Sequence, residues 1–99
     1  QEYPKNIRHP YWRFMVFIND KNIKREKIRE KLNKHGISVD WPYEPLIHLQ
    51  PVFKNRYELE QGYLKKSEER SRKHLCLPVH MSIMPEDAEF IVDKFVACF

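Results

Sequence analysis

Glycine is almost missing from this chain: Gly36 and Gly62 are the only two in 99 residues. So few cannot build a Gly-rich phosphate loop, and no serine sits between glycines as a nucleophile elbow requires. Two cysteines, Cys76 and Cys98, are too few for a disulfide framework and lack metal-ligand spacing. Each lies in an apolar run, which predicts buried, reduced thiols and a cytoplasmic protein. The five histidines never fall into an HExxH or paired Cys/His pattern, so no metal ligand is nominated. No apolar stretch approaches the roughly 20 residues of a membrane helix, and no membrane partner is expected.

What is present fits one small domain. Apolar residues make up 41% and charged residues 32%, a balance too apolar for a disordered polyampholyte. The chain opens Gln1-Glu2-Tyr3-Pro4, without an initiator Met or a cleavable apolar leader, and reads as a piece of a longer protein. The net charge of +4 is unevenly placed. Residues 21–35 carry seven Lys/Arg against two Glu, and residues 65–73 carry five against two. Two basic stretches could follow a phosphate backbone, but Glu/Lys pairs at helical spacing on solvated faces explain them more simply.

Period-two apolar residues from Tyr11 to Ile18 predict a strand, with Trp12, Phe14, Val16 and Ile18 on one face. Tyr11, Met15 and Phe17 make the other face nearly as apolar, so the strand is covered on both faces or one face waits for a partner. Asn22 is a candidate cap for a helix over 23–35, and Gly36 a left-handed stop. Residues 37–39 predict a further extended segment. Residues 54–66 read as a polar, mobile loop, residues 67–74 as a helix with almost no apolar stripe, and residues 75–79 as a strand. Pro85 opens the best amphipathic helix, with Ala88, Ile91, Val92, Phe95 and Phe99 on one face. The expected fold class is α+β: a small mixed or antiparallel sheet of about three strands with helices on one face.

Chemistry concentrates in residues 41–50. Trp41, Tyr43, His48 and Gln50 lie on irregular chain among Pro42, Pro45 and Pro51. Flat rings suit sugars or bases, and His48 and Gln50 offer donors and acceptors for hydroxyl or phosphate groups. A histidine that only satisfies backbone carbonyls in a buried turn is the competing reading.

Gly36-Ile37, the aromatic and proline segment after it, and His48-Leu49-Gln50-Pro51-Val52-Phe53 together resemble a run found in the DegT/DnrJ-type sugar-nucleotide aminotransferases of fold type I. Leu75-Cys76-Leu77-Pro78-Val79-His80 after Ser67-Glu68-Glu69, and the helix from Pro85, are similar to later stretches of that family. Tyr11 to Val16 resembles the strand that opens its C-terminal domain. Two residues, Leu46 and Ile47, stand between Pro45 and His48 where the family has one, and Met84 replaces a Thr cap. The resemblance implies a linker over 1–8 from a large domain and a C-terminal small domain over 9–99. It implies a pyridoxal phosphate enzyme that moves an amino group, commonly from glutamate, to a nucleotide-linked keto sugar for polysaccharide or amino-sugar biosynthesis. It also implies a homodimer, with Tyr43, His48, Gln50 and Trp41 as substrate contacts. The lysine and aspartate that hold the cofactor in the family match nothing here, so no catalytic residue is nominated. A basic nucleic-acid-binding module and a non-catalytic regulatory relative are the alternatives.

Overall fold

The computed structural model describes residues 4–99, so the first three residues of the expected 1–8 linker lie outside the described residues. Strand β1 (Phe14–Phe17) leads to helix α1 (Arg25–Asn33). A 3-10 turn at Ile47–Leu49 runs into α2 (Pro51–Tyr57), and α3 (Lys65–Lys73) passes directly into β2 (His74–Leu77). Helix α4 (Pro85–Val96) closes the order. The two strands are antiparallel, with Phe14 opposite Leu77 and Val16 opposite Leu75.

The fold class is α+β, but the described sheet has two strands where about three were expected. Residues 37–39 form no strand. Asp40 alone pairs with Cys76, through Cys76 N–H to the Asp40 carbonyl at 2.7 Å and a weaker return bond at 3.4 Å. Pro42 has no N–H to extend that ladder, so pairing stops after one bridge.

Alternation along the strands decides what each face meets. Val16, Leu75 and Leu77 join Ile18, Ile28, Leu32, Ile37, Val39 and Cys98 in one core, with Ile91 and Phe95 of α4 against it. Both cysteines are free thiols and buried. Burial, with Asp40 nearby, pushes the Cys76 thiol up from its ordinary pKa, outweighing the opposing Arg13. The other sheet face carries Met15, Phe17, His74 and Cys76, and there Met15 and Phe17 stay exposed. The radius of gyration is 16.2 Å, against about 13 Å for a compact domain of 100 residues, in keeping with this open apolar surface.

Local chemistry sets the helix ends. Asn22 does not cap α1; its N–H is held by Asp20 at 2.8 Å, and the helix starts at Arg25 behind an uncapped Lys24. Gly36, at φ 75°, turns the chain so that Ile37 N–H returns to the Leu32 carbonyl at 3.1 Å. At α4 the Asp87 carboxylate accepts the Met84 N–H at 3.0 Å, which supplies half of a capping box without the Thr. The stretch 54–66, read as a loop, holds the end of α2 and a turn over 61–64. Pro51 at the first helical position starts α2, although none of its side chains is buried.

Leu32 is fully enclosed. Leu32→Ala should therefore destabilise the fold by about 2–5 kcal/mol, read as a lower urea midpoint at an unchanged slope.

Candidate functional site

The segment from Trp41 to Gln50 lacks regular pairing, so side chains must fix its shape. Two polar clusters do so. In the first, one guanidinium nitrogen of Arg25, on α1, donates to both oxygens of Glu44 at 2.7 Å each. A second Arg25 nitrogen donates to the Ser71 carbonyl at 2.8 Å, and the Ser71 hydroxyl donates to Glu44 at 3.0 Å. The guanidinium carbons of Arg25 and Arg29 lie 4.4 and 4.2 Å from the centre of the Trp41 ring. Charge-assisted hydrogen bonds and cation–π contacts thus tie α1, the segment and the end of α3 together.

The second cluster centres on Glu68, which is only 4% exposed. Its carboxylate accepts the Gly62 N–H at 2.8 and 2.9 Å, the Leu64 N–H at 3.2 Å, and His48 Nε2 at 3.0 Å. An ionised carboxylate only accepts, so His48 Nε2 carries the shared proton. Burial alone would raise the Glu68 pKa, but the bonds from His48, Gly62 and Leu64 outweigh it and leave the group below its ordinary value.

These clusters place the four candidate contacts differently. His48 is 7% exposed and faces Glu68. Gln50 turns inward, donating from Nε2 to the Pro45 carbonyl at 2.8 Å. Trp41 is half-buried beneath the two arginines. Tyr43 is 60% exposed and lies at φ 75°, a left-handed conformation costing on the order of 1 kcal/mol for a bulky residue. Next to it, the Glu44–Pro45 peptide is cis. Three candidates therefore build the segment's scaffold, and the fourth presents its ring outward. Tyr43 borders a hollow of about 400 Å³ with Met15, Phe17, Leu46, Arg70 and His74. The His74 ring nitrogens lie 2.7 Å from the Ser71 carbonyl and 3.1 Å from the Pro42 carbonyl, which seats the segment over the second sheet face.

Sequence reasoning missed Arg25, Glu68 and Ser71, and counted Glu44 only as a polar member of the proline-rich segment. In sequence they look like ordinary members of charged helices and a proline-rich loop. The helix over 65–73 has no apolar stripe because its inward face is polar, with Glu68 and Ser71 buried three residues apart. Several basic side chains counted toward a phosphate-binding face are engaged within the chain. Lys27 meets Glu30 at 2.8 Å, Lys73 meets Glu69 at 2.6 Å, and Lys31 donates to the Cys98 carbonyl at 3.1 Å.

Residues 1–96 match the model of the DegT/DnrJ/EryC1/StrS aminotransferase family, and the chain belongs to that family. It is 30% identical to a pleiotropic regulatory protein of Geobacillus stearothermophilus over 71 residues, covering 72% of this chain and 19% of that protein. The aminotransferase TlmJ of Streptoalloteichus hindustanus shares the fold at a TM-score of 0.78 and 23% identity, over 99% of this chain and 24% of that one. The chain thus spans about a fifth to a quarter of the length of these relatives.

The residues described here do not fit the pyridoxal phosphate that this family implies. A ring-stacking group, an anchoring lysine and a carboxylate for the ring nitrogen must converge on one pocket. The hollow beside Lys66 has Tyr43 and Phe17 but no carboxylate, and the one beside Lys21, Lys24 and Lys73 has carboxylates but no aromatic ring.

A group whose folded pKa is depressed stabilises the fold above its unfolded value, and that stabilisation is lost as pH falls through the folded value. Glu68→Gln should therefore lower Tm at pH 7 and flatten the loss of Tm below pH 4.5, the ordinary carboxyl value, relative to the parent chain. Parallel melting curves from pH 7 to 3 measure the difference. Curves for the two proteins that stay the same distance apart would remove Glu68 from this role.

Proposed function

We propose that residues 9–99 are the C-terminal small domain of a transaminase acting on a nucleotide-linked keto sugar, with residues 1–8 as the linker from a large domain. Glutamate is the amino donor in this reading, and the domain closes the substrate side of the site within a homodimer in the cytoplasm. Bound to the large domain, pyridoxal phosphate supplies the electron sink for amino transfer. This chain's part is binding and orientation. The observation that carries the proposal is the family match over residues 1–96, joined to a clamped segment that leaves Tyr43 open.

In this division of labour the Tyr43 ring gives a flat face and a hydroxyl to the substrate. Arg25, Glu44, His48 and Glu68 are positioning residues that hold Tyr43 in place, and Gln50 and Trp41 keep the segment from collapsing. A pre-formed segment loses little conformational freedom on binding, which favours orientation over slow rearrangement.

A regulatory role without transamination is the second reading, supported by the 30% identity to a protein named as a pleiotropic regulator. Full-length protein separates the two. In the transaminase reading, Tyr43→Ala should lower kcat/KM for the nucleotide sugar by roughly 5- to 150-fold, the equivalent of one or two lost contacts, with cofactor absorbance unchanged. Unaltered kcat/KM rules out the contact at Tyr43, and cofactor-loaded protein that fails to turn over any nucleotide-linked keto sugar favours the regulator. The 99-residue chain alone should give no stoichiometric, borohydride-trapped pyridoxal phosphate adduct.

A further inference from the structure

Trp12 precedes β1 and is 79% exposed, with no ring or cation against it among the described residues. It stands at the rim of a hollow of about 420 Å³ that also takes in Arg13, Ser38, Asp40, Val79 and His80. This hollow shares no residue with the one beside Tyr43. Arg13 and Asp40 meet at 3.5 Å, a loose pair whose carboxylate is 63% exposed. Arg13 Nε is buried and has no hydrogen-bond partner.

We propose that this hollow is a binding site for a neutral pyranose, stacked on Trp12 and hydrogen-bonded by the Arg13–Asp40 pair. The charges choose the ligand class. Asp40 repels an anion and Arg13, held against Tyr43 as well as Asp40, repels a cation, while the 3.5 Å separation of the pair leaves the exposed Asp40 carboxylate open to a ligand. Vicinal hydroxyls each donate and accept, so a carboxylate acceptor beside a guanidinium donor matches two neighbouring hydroxyls at once. The flat apolar face of an indole with a polar edge suits the C–H face of a sugar ring. Ser38 and His80 add further polar groups at the wall, and Val79 adds apolar contact, the usual make-up of a small-ligand pocket. The site does not rest on the transaminase reading, since it needs no large domain, although the Arg13 guanidinium also lies 5.7 Å from the centre of the Tyr43 ring.

Intrinsic fluorescence tests it, because the chain has only two tryptophans, Trp12 and Trp41. The parent chain is titrated with methyl glucoside, methyl galactoside and N-acetylglucosamine, and with glucuronate and glucosamine as charged comparators. At least one neutral sugar should give a saturable change with a Kd on the order of 1 mM, both charged sugars binding several-fold more weakly. Trp12→Ala should abolish binding in an equilibrium-dialysis assay, and the sugar-dependent fluorescence change should vanish with it. Asp40→Asn keeps the shape but removes the negative charge, so it should weaken the neutral sugar and strengthen glucuronate. No saturable binding of any neutral sugar up to about 100 mM overturns the proposal, as does binding that survives in Trp12→Ala or a glucuronate preference already present in the parent.

Discussion

The buried carboxylate of Glu68 is the group around which the irregular half of this molecule is arranged. It gathers the turn at Gly62 and Leu64, the 3-10 turn at His48, and the first turns of α3 onto two oxygen atoms. A buried carboxylate with fewer donors would be strained by its own desolvation, so each of these partners is required by the others. Because α3 runs without a break into β2, whatever fixes Glu68 also fixes the segment relative to the sheet.

The Arg25 cluster does the complementary task from the other side. It joins α1, a core helix through Ile28 and Leu32, to Glu44 in the segment and to the last turn of α3. Between the two clusters the chain from Trp41 to Gln50 has few ways to move, and of its large side chains they leave Ile47 and the ring of a left-handed Tyr43 facing outward. Arg13 lines the hollow beside Trp12 and also has its guanidinium carbon 5.7 Å from the Tyr43 ring centre.

Periodic apolar residues made β1, α1, β2 and α4 legible, but full burial follows only for Ile28 and Leu32 of α1 and for β2, while Val92 and Phe99 of the predicted α4 face stay exposed. β1 and β2 came out shorter than read, since Trp12 and Val79 project beyond the paired region. The family could be read from His48-Leu49-Gln50-Pro51 with Leu77-Pro78 behind it, and the match over residues 1–96 agrees. The site's supports could not be read. Glu68 sits among Lys65, Lys66, Glu69 and Arg70, where nothing in residue type marks one carboxylate as buried. The missing third strand has a similar origin: Ile37 and Val39 have strand character and are buried, yet they pack against α1 and the sheet as irregular chain.

Amide hydrogen exchange, residue by residue, tests most directly whether Glu68 organises the segment. At pH 7 the Gly62 and Leu64 amides, together with those of Leu49 and Gln50, should be protected in the parent chain. In Glu68→Ala they should exchange at least about tenfold faster, while the α1 amides of Ile28 and Leu32 keep their protection. Equal protection at Gly62 and Leu64 in both proteins would contradict the account, because those two N–H groups would then owe nothing to the carboxylate.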